Sequence, residues 1–106
     1  MAAFDTSLTP VAATPANTND ATLFTATDDS SVLVDAANIG SAALQVRIGI
    51  TPSGGSNAWR IFDTIIEAGD ALLRYGPVFL QSGDAVVVRT SVANDAVFSL
   101  DGVETT

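Results

Sequence analysis

Between residues 43 and 51 the sequence alternates without a break. Leu44, Val46, Ile48 and Ile50 are apolar, and Gln45, Arg47, Gly49 and Thr51 stand between them. A repeat of two cannot line one side of a helix, whose repeat is 3.6 residues. It lines one side of a strand, where successive side chains point to opposite faces. The segment therefore predicts a strand with one face in a core.

The rest of the chain from residue 21 reads the same way. Segments 21–27 (ATLFTAT) and 31–37 (SVLVDAA) flank the polar turn Asp28-Asp29-Ser30, the pattern of a hairpin. Residues 51–57 form a loop by composition, and 58–66 (AWRIFDTII) is a strand with Asp63 as a break or bulge. A strand at 71–75 is expected to turn at Gly76-Pro77 into another at 78–80, followed by strands at 85–92 and 96–100 with a turn at Asn94-Asp95. The stretch 64–73 fits helical spacing loosely, but Gly69 and Asp70 argue against a helix. EAGDALL (67–73) and QSGDAVV (81–87) echo each other, and each Gly-Asp is read as a turn that reorients the chain just before a strand.

About eight short strands separated by turns, with no convincing helix, predict an all-β fold: an antiparallel β-sandwich, jelly-roll-like. Residues 1–20 differ in being rich in Ala, Thr, Pro, Asn and Asp, with Phe4, Leu8 and Val11 as isolated apolar points. Pro10 and Pro15 remove ladder donors. We read 1–20 as an extended N-terminal arm, with one short strand near 4–9, and 21–106 as the sandwich domain. The arm is either a frayed terminus or a strap lying along a neighbouring subunit.

A chain of 106 residues holds one domain of this kind. Its apolar fraction of 47% excludes a disordered acidic tail, and a mean hydropathy of +0.36 points to surface covered by a partner. The net charge of −8 makes nucleic acid and anionic membranes poor partners, because both need clustered cations. The cations are Arg47, Arg60, Arg74 and Arg89, all within strand-like segments, where cross-strand pairing on outer sheet faces or a subunit interface would use them. With no Cys, no disulfide staples the fold. No signal peptide and no membrane-spanning run is expected.

The chemistry-bearing residue types are mostly missing. No His removes the usual general base and metal ligand, no Cys removes thiolate chemistry, and no Lys removes Schiff bases and phosphate-loop lysines. Asp35, Asp63, Glu67 and Asp70 could pair as glycosidase carboxylates, but the chain has few aromatic platforms. Asn17, Asn19 and Asp20, or Asp28 and Asp29, offer oxygen ligands near turns, but neither stretch has the spacing of a calcium loop. We therefore expect no catalytic residues, no metal site, no cofactor and no enzyme. Trp59 packs in the core or, with Arg60 beside it, anchors an interface; a carbohydrate platform with Tyr75 is a third reading. Phe62, Tyr75 and Phe79 are core or interface. The interface candidates are Phe4, Leu8, Val11, Trp59, Arg60 and Tyr75.

The order of features from 21 to 104 resembles the small β-sandwich virion proteins of tailed bacteriophages, in particular capsid decoration (cement) proteins. The likeness lies in TLFTAT (22–27), SVLVDAANIGSAALQVRIGIT (31–51) with an Asn-containing turn at 37–41, IIEAGDALL (65–73), the Gly76-Pro77 turn, VFLQSGDAVVVRTS (78–91) and VFSLDGVE (97–104). The resemblance implies a protein on the outside of a phage capsid that bridges neighbouring capsid subunits. Its partners would be the major capsid protein and copies of itself, as a homotrimer or a dimer. It would reside on the virion surface after assembly in the host cytoplasm. A tail, baseplate or fibre component is the alternative, and a carbohydrate-binding module is a further one.

Overall fold

The computed structural model describes the backbone of residues 5–56 and 58–105, and the side chains of residues 6–56, 64–71 and 76–104. Among the described residues it contains nine strands and no helix: β1 (Asp5–Ser7), β2 (Val11–Ala13), β3 (Ala21–Thr25), β4 (Ser30–Asn38), β5 (Leu44–Thr51), β6 (Ala58–Ile66), β7 (Ala71–Leu80), β8 (Ala85–Thr90) and β9 (Ala96–Thr105). One sheet runs β1-β9-β4-β7, with β2 also on β9; the other runs β3-β8-β5-β6. Every pair is antiparallel.

The order follows from one long hairpin. β2 pairs with β9, β3 with β8, β4 with β7 and β5 with β6; rolling the hairpin sets β9 beside β4 and β8 beside β5. This is the jelly-roll arrangement, an all-β sandwich of two layers. The chain crosses between layers at every step from β2 to β9 except β5 to β6. Connections 26–29, 52–57 and 81–84 lie at the end of the sandwich where β4 begins, at Ser30. Connections 14–20, 39–43, 67–70 and 91–95 lie at the end where β4 finishes, at Asn38.

Alternation sets the packing. In β4, buried and half-buried residues alternate from Ser30 to Asn38 without exception. Val32, Val34, Val46, Ile48, Val86, Val88, Phe98 and Leu100, drawn from both sheets, are at most 2% exposed. Leu8, Val11, Ala13, Ala21, Phe24 and Ile50 pack against this core at its margins.

Four expectations are corrected. Segments 21–27 and 31–37 are no hairpin, because β3 pairs with β8 and β4 with β7 and β9: the short 26–29 link crosses from one layer to the other. Gly76-Pro77 does not end a strand. It lies within β7, which runs from Ala71 to Leu80 along β4 and takes up the irregularity as register shifts between Val32 and Ala36. Asp63 interrupts nothing, since it stands opposite Arg47 in a continuous register, and the irregularity in that pair falls between Ile48 and Ile50. The last strand extends beyond residue 100 to Thr105 because β4 and β1 supply partners along its whole length. In the arm segment, Asp5–Ser7 and Val11–Ala13 pair with β9 of the same domain, and Leu8 donates its amide to the Gly102 carbonyl at 2.9 Å.

The two Gly-Asp turns share one hydrogen-bond pattern. Asp70 donates to the Glu67 carbonyl and Asp84 to the Gln81 carbonyl, each at 3.0 Å, around left-handed Gly69 (φ 75°) and Gly83 (φ 91°). Each glycine amide then reaches a strand end, Gly69 to the Asn38 carbonyl at 3.0 Å and Gly83 to the Ala26 carbonyl at 2.8 Å. Those residues donate back, Asn38 to the Asp70 carbonyl at 2.9 Å and Ala26 to the Asp84 carbonyl at 2.8 Å. One such clamp closes each end of the sandwich.

At one clamp the Asn38 side chain adds a second set of bonds from inside the core, where it is 1% exposed. Its Nδ2 donates to the Ala42 and Ile66 carbonyls at 2.8 and 2.9 Å, and its Oδ1 accepts from the Gly40 amide at 2.9 Å. It thus holds the β4–β5 crossing to the end of β6. Asn38→Ala would remove the partner of three backbone groups, of which the Ile66 carbonyl is buried, and is expected to lower unfolding free energy by roughly 1–3 kcal/mol in urea titration. A Cβ on Gly102 would run into the Ser31 carbonyl oxygen and come within 2.8 Å of the Val32 Cα. Backbone inside a sheet cannot yield easily, so Gly102→Ala is expected to cost about 1–3 kcal/mol by the same measurement.

Candidate protein-binding face

Alternation leaves every second residue of the five-stranded sheet pointing outward, and several of these are apolar. The registers set Ser7, Val103, Ser31 and Phe79 in one row across β1, β9, β4 and β7. Phe79 is 75% exposed and Val103 37%. In the next row Leu33 stands beside Asp101. Pro77 and Pro10 are exposed, and Leu8 is half-buried.

The surface dips on both sides of Ser31. A groove of about 680 Å³ passes between Phe79, Val103, Ile50 and Pro52, with Asp29 and Asp84 in its wall. A second, of about 550 Å³, passes between Leu8, Pro10, Leu33, Pro77 and Val103, with Asp101 in its wall. Among the described residues no cation lines either groove. Asp84 is held by its turn: its two carboxylate oxygens accept from the Ser53 and Gln81 amides, each at 3.0 Å. Glu104, opposite Ser30, accepts from the Thr27 hydroxyl at 3.2 Å. A shallow apolar face ringed by carboxylates has the makings of a protein-binding surface.

The other exposed apolar side chains lie at the far end. Ile39 and Val92 sit in the connections at the Asn38 end, and Ile65, 66% exposed, is on β6 at the edge of the four-stranded sheet. Near that end of the same sheet, Arg47 stands opposite both Asp63 and Arg89. Arg89 pairs with Asp20 at 3.5 Å and donates to the Thr18 carbonyl at 3.0 Å. Arg47, Arg89, Thr18 and Gln45 line a small polar depression of about 280 Å³. Among the described residues no group of three or more Asp or Glu side chains could hold a metal ion.

Of the interface candidates read from the sequence, Leu8 and Val11 are half-buried against the core of their own domain, and Leu8 also lines the second groove. Phe4 lies outside the described residues. The backbones of Trp59, Arg60 and Tyr75 belong to β6 and β7, and their side chains lie outside the described set. Phe79, which the sequence left open between core and interface, points outward. Leu33 and Val103 were not singled out. For Leu33 and Phe79 the signal was present in the runs VLV (32–34) and VFL (78–80): three apolar residues in a row exceed what a half-buried strand needs, so the middle one faces outward; Val103 stands in no such run.

A jelly roll with an acid-rimmed apolar face defines the class: a sandwich that presents surface and forms no deep cleft among its described residues. No protein-family model and no curated protein matches the chain. Solved structures do share its fold. One is a chain in the acidic stable capsid structure of Helicobacter pylori bacteriophage KHP30, 13% identical, with a TM-score of 0.59 over 97% of this chain and 94% of that one. Another is from the Bacillus endospore appendages described as a novel family of disulfide-linked pili, 13% identical, with a TM-score of 0.57 over 97% and 88%. At this identity the likeness is one of fold.

If Phe79 serves a surface and not the core, its loss should leave the fold alone. Phe79→Ser is expected to shift unfolding free energy by no more than about 0.5 kcal/mol, whereas Phe98→Ala, at a site of 0% exposure, costs about 3–5 kcal/mol. Thermal and urea denaturation of the pair check this.

Proposed function

We propose that this protein is a non-enzymatic structural component of a virion that binds the outside of a phage capsid and bridges neighbouring capsid subunits. The observation that carries the reading is the pair of separated apolar areas: Phe79, Val103 and Leu33 on the outer face of one sheet, and Ile39, Ile65 and Val92 toward the opposite end. A bridge needs two contacts that do not compete, and a rigid sandwich holds them apart. The fold shared with a chain in a phage capsid structure supports the setting. The lack of His, Cys and Lys supports a role without chemistry. Attachment to a repeating shell would multiply a modest affinity at each contact. The partners in this reading are the major capsid protein and further copies of the chain, as a homotrimer or dimer, and the location is the capsid surface after assembly in the host cytoplasm.

A tail, baseplate or fibre component is the second reading, favoured by the nearly equal likeness to a pilus protein. That protein's assemblies are described as disulfide-linked, a route closed to a sequence without Cys. Cryo-electron microscopy of purified virions separates the readings. Hundreds of ordered copies on the shell are expected; a handful at one vertex would favour the tail, and absence from particles would end both.

A further inference from the structure

We infer that the outer face of the five-stranded sheet, around Phe79 and Leu33, receives an apolar segment of a different protein that carries lysine or arginine on its flanks. The inference rests on the reading above in that the protein binds another protein surface, and it deepens it by fixing the chemistry of one contact.

The centre of the face is apolar and open, with Phe79 75% and Val103 37% exposed. The wall of its larger groove carries Asp29 and Asp84. Asp84 gives its oxygens only to neutral backbone amides, so its charge remains for a partner to meet. An occupant must cover the apolar centre and place positive charge at the rim, the usual division of a protein interface.

A second copy meets this requirement poorly. A two-fold contact through this face would bring each carboxylate toward its own equivalents, between chains that each carry a net charge of −8. A head-to-tail contact would need a basic, apolar surface elsewhere on the chain. Its arginines are spread over separate strands, Arg47, Arg60 and Arg89 in the other sheet and Arg74 in β7 of this one; Arg89 is engaged by Asp20 and Thr18, and Arg47 stands opposite Asp63. Phe79 and Pro77 belong to β7, the edge strand of this sheet, so the occupant can meet the face through side chains and lie along that edge as well. Nucleic acid would set phosphates against the carboxylates.

The test uses two synthetic peptides with the same short Val-Leu-Val core, one flanked by lysines and one by glutamates. Each is titrated into the isotope-labelled 10.8 kDa chain and followed by NMR. The lysine peptide is expected to shift the amides of Ser31, Phe79 and Val103. Its affinity should fall roughly tenfold or more as salt rises from about 50 to about 500 mM. The glutamate peptide should leave the spectrum unchanged. Phe79→Ser should abolish the shifts, and Asp29→Lys should weaken binding several-fold and flatten its salt dependence; the dispersion of each variant's spectrum reports its folding in the same experiment. Equal binding of the two peptides, binding of neither, or shifts confined to other strands would overturn the inference. So would a multimer, seen by light scattering, that Phe79→Ser dissolves, because the face would then belong to a second copy. None of these results depends on where the protein sits in a particle, so the virion reading stands or falls separately, on imaging.

Discussion

The structure depends on a single layer of side chains shared by two sheets. Val32, Val34, Phe98 and Leu100 from one sheet meet Val46, Ile48, Val86 and Val88 from the other, and all are shut off from water. The layer forms only when β9 lies beside β4 and β8 beside β5, so pairing and packing must be achieved together. With no disulfide available, this burial and the hydrogen bonds at the ends carry the fold.

The ends matter because the chain crosses between layers so often. Each crossing takes backbone groups out of a ladder, and each needs replacement partners. The Gly-Asp turns supply them at both ends by the same pattern, and the Asn38 side chain supplies three more bonds where the β4–β5 crossing runs close to the core. A buried asparagine would be a liability if half satisfied; here it is bonded through both its nitrogen and its oxygen.

What the core does not use forms the candidate binding surface. Strands that alternate strictly would leave a polar exterior. β4, β7 and β9 instead carry Leu33, Phe79 and Val103 outward, and the registers gather them on one face. Pairing of β4 with β7 and β9 fixes the rows in which these side chains stand. The carboxylates around them set the sign of what can approach.

Strand character was legible in the sequence because it is local: period-two alternation over 43–51, the Gly-Asp turns and the absence of a helical stripe all act within a few residues. The two-layer class follows from that count of strands. The echo of EAGD and QSGD announced its turn chemistry, although that the two turns clamp opposite ends of one sandwich could not be read from it. Pairing was decided by tertiary structure. The turn at 28–30 looks like a hairpin locally, but β3 gains more by joining β8, whose Val86 and Val88 enter the core, than by lying beside β4. Gly76-Pro77 looks like a chain reversal, yet β4 holds both sides of it in one strand. The candidate binding face has the same origin. Leu33, Phe79 and Val103 are 24 or more positions apart in sequence, and only the rolled hairpin, whose partners are chosen by burial across the whole domain, makes them neighbours.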